Sequence, residues 1–423
     1  MRYFVIIILV LGLGALRAGT PPPSAIRFEN IASKAGVNFI TRNSPTPNKN
    51  QIETMVAGVG LLDYDGDGWL DIYLVNGAAI PSLQKESPAY WNRLYRNNHD
   101  GTFTDVSKET GISSRMGKGM SVSFADYDGD GFLDAFVAND TTPGFLFHNL
   151  GGKKFEEVGT QAGVAYAPNG VALSGMGSDF RDVNNDGRPD IWYTAVERET
   201  FPLLMNQGNG EFDDVTQSSG LQATKDMSGW GNGIFDFDND GWKDLLVVRA
   251  NVLDNISELG PSRKYPEPNS LFRNLGNGKF ADVGPSAGPD FVEQAPHRGV
   301  AFGDLFNDGR IDAVVSVLGG PVEILRNVSE TGNHWLLLKL VGTKSNRMGL
   351  GAQIHITTAD GASQWNEATT AVGYTASSDS RVHFGLGRNR VIKDVEIRWP
   401  SGLKQVLHDV AADQILTVEE PQR

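Results

Sequence analysis

Nine-residue stretches that alternate aspartate with glycine are the part of this chain whose residue types can do chemistry. The first, DYDGDGWLD, sets Asp63, Asp65, Asp67 and Asp71 at positions one, three, five and nine. The second, DYDGDGFLD, repeats the pattern with Asp126, Asp128, Asp130 and Asp134. DVNNDGRPD offers Asp182, Asn184, Asp186 and Asp190, and DFDNDGWKD offers Asp236, Asp238, Asp240 and Asp244. A worn copy, DLFNDGRID, keeps Asp304, Asp308 and Asp312 but has Phe306 at position three. Carboxylates at alternate positions of a tight loop converge, and without a cation they repel one another. Calcium, a hard ion that takes about six to eight oxygens in a flexible shell, suits such a loop better than magnesium, which keeps waters and a strict octahedron. Glycine or asparagine at position four and glycine at position six allow the backbone turns. An EF-hand is excluded, because Leu74 and Val137 stand where that loop needs a glutamate and the flanks read as strands. A metal-free Asp-Gly turn explains any one copy; repetition favours calcium. Four sites are therefore expected, strongest in the first, second and fourth loops, with a fifth that is weak or empty.

Other chemistries are sparse. The chain has no cysteine, so disulfides, thiolate metal sites and cysteine nucleophiles are excluded. Its seven histidines are scattered at no ligand spacing, and His148 and His383 fall inside sequence phrases that read as packing. The net charge of −14 is concentrated in the aspartate loops, and no basic stripe suggests nucleic acid. Residues 1–18 read as a secretory signal, with Arg2, an apolar run from Tyr3 to Leu16 and small residues at Ala18 and Gly19. That run is short of the ~20 residues a membrane span needs. The expected location is outside the cytoplasm, either secreted or held in the periplasm or at the cell surface, with no stable membrane span.

The elements that must position the loops recur with them. An L-x-x-N phrase begins at Leu94, Leu146, Leu203, Leu271 and, in part, Ile324. An F-x-D-V phrase follows at Phe103, Phe155, Phe212 and Phe280, with a related FENIASKAGV at Phe28. Loop starts at Asp63, Asp126, Asp182, Asp236 and Asp304 make a unit of roughly 60 residues. Each unit holds four short strand candidates bounded by Gly, Asn and Asp, which is the content of one propeller blade. The expected fold is all-β: a propeller of four-stranded blades over residues 26–330, followed by a small β domain over 333–420. Five repeats are visible. The alternative, in which the C-terminal strands add two blades to make seven, is disfavoured because no repeat phrase carries over. Strand-like segments in that last region are Leu336–Leu340, Gln353–Thr358, Arg381–Phe384, Val395–Trp399 and Ile415–Val418.

These phrases resemble FG-GAP/VCBS repeats, the blades of integrin α-subunit propellers. The C-terminal NHWLLLKLVGTKSNRMGLGA, RVHFGLG and WPSGLKQVLHDVAADQILTV resemble the ASPIC/UnbV domain. The order of parts resembles that of bacterial relatives of the cartilage acidic proteins, and only the segment between Gln364 and Asp379 matches less well. The resemblance implies an extracellular calcium-bound propeller with a binding or adhesion role; it implies no reaction.

Strand alternation places the aspartate loops on one face and the second-to-third-strand loops on the other. The latter vary most, with long copies at Gly77–Asn92 and Asn251–Asn269, so the ligand face is expected away from the metals. Tyr90 and Trp91, in the first long loop, are the candidates for stacking on a sugar or contacting a protein. The expected partner is an extracellular glycan or protein. The competing reading is a propeller enzyme acting on polysaccharide as a lyase or hydrolase, which would show His, Arg and Tyr at the channel mouth.

Overall fold

Short segments bounded by Asp, Asn or Gly fold as strands, and a computed structural model of the chain groups them into seven small sheets. It describes residues 26–30, 32, 39–47, 58–62, 71–75, 93–95, 119–151, 155–261 and 263–422, with only the backbone path for 58–62, 71–75, 93–95 and 119. The signal segment, Asp63, Asp65, Asp67, Tyr90 and Trp91 lie outside the described residues, and Asp71 appears only as the first residue of a strand.

Five of the sheets are blades. The second blade runs in order through Gly119–Ala125, Asp134–Asn139, Phe145–Asn149 and Phe155–Glu157, each antiparallel to the last. The third uses Ser178–Arg181, Asp190–Tyr193, Leu203–Asn206 and Phe212–Asp214. The fourth uses Gly229–Phe235, Asp244–Arg249, Ser270–Asn274 and Phe280–Asp282. Inner strands carry apolar residues on both faces because a neighbouring blade covers each side: Leu245, Leu246, Val247 and Val248 are all fully buried in succession. In the outermost strand Phe280–Asp282 only the phenylalanine is buried.

The fifth blade takes His297–Gly303, Asp312–Val317 and Glu323–Asn327 from its own repeat and Phe28–Asn30 from the N-terminus as its outer strand. The FENIASKAGV phrase at Phe28 is thus the missing fourth strand of the last repeat. Hydrogen bonds between outer strands show the same order. Phe212 N–H donates to Ala162 O (2.9 Å), Phe280 N–H to Ser219 O (2.9 Å) and Phe28 N–H to Ala287 O (3.0 Å). Inner strands pack side by side from the second blade through the third, fourth and fifth to the first.

The C-terminal strands do not add blades. Among the described residues they form two sheets of their own, apart from Ala376–Ser377. His334–Val341 lies between Val382–Gly387 (antiparallel) and Gln414–Glu419 (parallel). Gln353–Thr358 lies between Ser363–Glu367 and Val391–Arg398, with Lys404–Ala411 outside. The two sheets enclose a core that includes Leu336, Leu338, Ile354, Ile356, Phe384, Val395 and Trp399. Gln353–Thr358 alternates half-buried and buried residues, as a strand with one covered face does.

This domain is not self-contained. Between Glu367 and Val382 the chain leaves it and runs along the innermost strands of the propeller. Gly373 N–H donates to Ser178 O (2.8 Å) in the third blade. Tyr374 meets Trp230 of the fourth edge-on, ring centroids 5.0 Å apart. Phe302 of the fifth donates its N–H to Ser378 Oγ (3.1 Å). Ala376 and Ser377 pair in parallel with Val59 and Gly60, giving the first blade an additional inner strand. Gly373 sits at φ +78°, with Asn232 O only 2.8 Å from where a Cβ would stand, so no other residue fits that approach.

Candidate metal centre

In every described aspartate loop, positions one and nine build a frame that does not depend on what occupies position three. The position-one carboxylate accepts the loop's own amides: Asp236 from Asp240 N (3.1 Å) and Gly241 N (2.7 Å), Asp304 from Asp308 N (3.0 Å) and Gly309 N (2.8 Å). The position-nine carboxylate accepts one amide from position two and one from the L-x-x-N asparagine. Asp244 takes Phe237 N (3.1 Å) and Asn274 N (2.9 Å), and Asp312 takes Leu305 N (3.0 Å) and Asn327 N (2.7 Å). Asp134 and Asp190 do the same. Asn185, Asn239 and Asn307 at position four adopt φ near +60°, which asparagine tolerates better than most residues.

The frame also explains the L-x-x-N phrase. Three of these asparagine side chains reach back to the previous blade: Asn206 to Tyr127 O (2.8 Å), Asn274 to Val183 O (3.0 Å), Asn327 to Phe237 O (2.8 Å). Loops are linked to one another as well, since Asn185 donates to Gly241 O (2.9 Å) and Asn239 to Gly309 O (3.0 Å).

Positions three and five decide whether negative charge converges. Asp236, Asp238 and Asp244 are all buried and bring carboxylate oxygens within 4.8 Å of one another. Asp238 is 2% exposed, and its Oδ1 is buried without a hydrogen-bond partner. Burial pushes the Asp236 and Asp244 carboxyls well above the usual range and, helped by Asp238, lifts Asp240 to about 6. A bound cation removes that penalty. Arg273 supplies part of the positive charge, with Nε 2.7 Å from Asp238 Oδ2 and Nη2 2.6 Å from Asp240 Oδ2. The residues therefore fit a hard cation that completes the set at Asp238 Oδ1.

The second loop converges in the same way through Asp126, Asp128 and Asp130. His148 packs edge-on against Tyr127, ring centroids 5.8 Å apart, and also faces the carboxylates. Its Nδ1 lies 3.5 Å from Asp128 and 3.3 Å from Asp134, forming a second acidic group with them. Burial raises Asp134 to about 7. The signal was available in the sequence: His148 occupies the same place in its L-x-x-N phrase as Arg273 and Arg326.

No such cluster forms among the described residues of the third or fifth loops. In the third, Asn184 donates to Asp186 (2.9 Å), and Arg188 pairs with the same carboxylate. In the fifth, Arg310 and Arg326 both pair with Asp308, and Arg326 also lies over the Phe306 ring at 4.2 Å. Trp242, at position seven of the fourth loop, packs on Gly276.

The third, fourth and fifth aspartate loops are largely covered, whereas Asp128–Phe132 of the second are exposed. The C-terminal domain sits on them, which sequence reasoning did not foresee. Gln353 donates to Asp126 Oδ2 (2.8 Å) and Asn333 to Asp238 O (2.8 Å). Lys243 donates to Trp365 O (2.9 Å), Arg381 to Asp304 O (2.7 Å), and Gly387 N–H to Asn239 O (2.8 Å). His383 Nε2 is 3.2 Å from Gly309 O, and Trp335 covers Gly309. Glu367 accepts the Asp126 N–H (3.2 Å) beside a cavity of about 280 Å³ between the second and third loops; burial, with Asp126 nearby, lifts its carboxyl to about 8. Trp365, in the otherwise polar stretch Ser363–Glu367, was the available hint.

Comparison with known proteins agrees with this arrangement. The FG-GAP-like repeat model matches residues 63–137, 126–193 and 182–247, and the ASPIC and UnbV model matches residues 342–423. The chain carries FG-GAP-like repeats and a C-terminal ASPIC/UnbV domain. It is homologous to cartilage acidic protein 1: 24% identical to the mouse protein over 95% of this chain and 70% of that one, and 26% identical to the Xenopus tropicalis protein over 85% and 54%. Among solved structures, a Photorhabdus luminescens Tc holotoxin pore overlaps 66% of this chain and 11% of its own at 15% identity, with a TM-score of 0.31. The repeats and the homology point to a β-propeller of binding or adhesion type, and its buried acidic clusters could hold a metal ion. Among the described residues no helix is long and apolar enough to cross a membrane.

Proposed function

We propose that this protein is a secreted, calcium-stabilised β-propeller that serves as a binding or adhesion module for an extracellular glycan or protein. The observation that carries the calcium reading is Asp238 Oδ1, a buried carboxylate oxygen with no partner beside two other buried carboxylates. Such a group is costly unless a cation meets it. Asp236, Asp238, Asp240 and Asp244 would hold one ion, and Asp126, Asp128, Asp130 and Asp134 another. The bound calcium supplies charge neutralisation, while the chain's own amides fix the loop. Because the C-terminal domain rests on these loops, calcium would also steady the junction of the two domains. Secretion is supported by the basic Arg2, the apolar run from Tyr3 to Leu16 and the small residues Ala18 and Gly19.

The enzyme reading needs accessible histidine, arginine and tyrosine near the channel. His297 and Arg298 are both fully buried. His297 lies 3.1 Å from Arg249 O and 3.4 Å from Glu323, and Arg298 is packed over Trp230 at 4.1 Å. Those side chains serve the fold, so this pair lends the enzyme reading no support.

Thermal unfolding in calcium and in chelator tests the reading. Calcium should stabilise the protein by about 1–3 kcal/mol per occupied site, depending on free ion over dissociation constant. Asp238→Asn should remove part of that gain while leaving the chelated protein close to wild type. An unfolding temperature indifferent to calcium would sink it.

A further inference from the structure

Away from the metal loops, the ends of the third, fourth and fifth blades line an open polar depression of about 310 Å³. Glu197 follows the second strand of the third blade. Arg249 ends that of the fourth, and Arg263, Lys264 and Glu267 come from the long connection after it. Asp226 leads into the fourth blade's first strand. The volume lies in the range of small-ligand sites, about 300–1,000 Å³.

Two ion pairs shape the walls. Arg263 donates to Glu197 Oε2 through Nε (2.8 Å) and Nη2 (2.5 Å), and Asn251 donates to the same oxygen (3.1 Å). Arg249 donates to Glu267 Oε2 through Nε (3.1 Å) and Nη2 (2.7 Å), and Ser228 N–H to the same oxygen (3.4 Å). Every one of these side-chain bonds falls on Oε2, so Oε1 of each glutamate is left with no hydrogen bond among the described residues. Arg263 Nη1 and the exposed Lys264 ammonium remain as donors. Three cations face three anions, so a singly charged ligand finds no surplus counter-charge. An apolar ligand would strip water from charged groups without replacing its hydrogen bonds. A hydroxyl both donates and accepts, and it suits a wall where free acceptors sit beside free donors. Pro266 and Pro268 add apolar surface for the C–H face of a ring.

The walls are held firmly. Trp230 Nε1 donates to Ala250 O (2.9 Å), between Arg249 and Asn251, and Tyr374 of the C-terminal domain's inserted segment packs on Trp230. We propose, resting on the binding-module reading, that this depression binds an uncharged polyhydroxylated ligand: a sugar unit or two of a neutral glycan.

Saturation-transfer NMR on the calcium-loaded full chain, with a panel of neutral mono- and disaccharides, acidic sugars and free amino acids, tests it. Neutral saccharides should bind, and Glu197→Gln should weaken them about tenfold, the worth of one hydrogen bond to a charged group. Lys264→Ala, at an exposed position that the fold does not use, should weaken them several-fold without changing the unfolding temperature. Preference for acidic sugars or amino acids, neutral binding that survives both substitutions, or no neutral saccharide binding at all would each overturn the proposal. Calcium-dependent stabilisation, measured on the same samples, reports the calcium reading separately. Binding of a ligand that both variants retain would leave the module reading standing while removing this depression from it.

Discussion

The fourth and fifth aspartate loops have the same frame and opposite chemistry. Asp236 and Asp304 collect the same amides at position one, and Asp244 and Asp312 do so at position nine. At position three the fourth loop buries Asp238 with an unpartnered oxygen, whereas the fifth has Phe306 under the Arg326 guanidinium. Both loops need positive charge. The fourth takes part of it from Arg273 and leaves room for an ion, while the fifth takes it from Arg310 and Arg326 on Asp308. The difference separates two jobs that the nine-residue pattern merges: positions one and nine fold the loop, and positions three and five make it a metal site.

The largest effects should come from breaking the shared frame. Asp312→Ala orphans the buried amide of Asn327 and the half-buried amide of Leu305, at about 1–3 kcal/mol each. The expected loss is about 4 kcal/mol in denaturant unfolding, equal with and without calcium. Asp244→Ala orphans Phe237 N and Asn274 N and also removes a candidate ligand, so its loss should be larger in calcium than in chelator. A loss at Asp312→Ala that grows with calcium would mean the fifth loop holds an ion too.

A second difference lies in what rests on each loop. The fifth is covered by His383, whose Nε2 meets Gly309 O and whose protonation burial holds down to about 4. Its unfolded value is 6.5. Between the two values the unfolded chain binds more protons, so this contribution is complete above 6.5 and is lost as pH falls through about 4. The size is on the order of 3 kcal/mol. Glutamine keeps a donor for Gly309 O but does not titrate. Wild type should therefore lose more stability than His383→Gln between pH 7 and pH 4, as read by denaturant midpoints; parallel losses would show that His383 is not held neutral.

What the sequence made legible was local. Asp loops, L-x-x-N and F-x-D-V phrases each describe one turn or one strand, and their order yields four strands per repeat. The end of the repeat phrases near Asn333 was legible for the same reason, and a strand of a different sheet begins at His334. Strands Ser363–Glu367 and Lys404–Ala411 were missed because their residues are largely polar and half-exposed, with no apolar alternation to announce them. What stayed hidden depends on partners far away in the chain. Phe28–Asn30 is recognisable as a repeat phrase, but its pairing with Leu325–Asn327 joins residues almost 300 positions apart, which no local pattern announces. The segment around Gly373 and Tyr374 has no strong strand pattern of its own, because it borrows its order from Ser178, Trp230, Phe302 and Val59. The roles of Asp at positions one and nine were assigned to metal alone, since spacing cannot distinguish a carboxylate that binds an ion from one that also gathers amides.

The smallest effect tests the comparison most directly, because it asks whether position three is sufficient. Phe306→Asp gives the fifth loop the fourth loop's pattern. It removes the contact of Arg326 with the Phe306 ring, worth about 0.5–1 kcal/mol at a partly exposed site. It also places a third carboxylate near Asp304 and Asp308. In chelator the variant should be slightly less stable than wild type. In calcium the deficit should close, giving about 1 kcal/mol of new calcium-dependent stability. Arg326 sits where Arg273 sits in the fourth loop, so it can pair with the outer oxygens of the new aspartate and Asp308 as Arg273 does with Asp238 and Asp240. A calcium titration of the unfolding temperature reads the outcome. If the variant gains nothing, then Arg310, which has no counterpart at Trp242, already fills the ion's place, and position seven rather than position three separates the two loops.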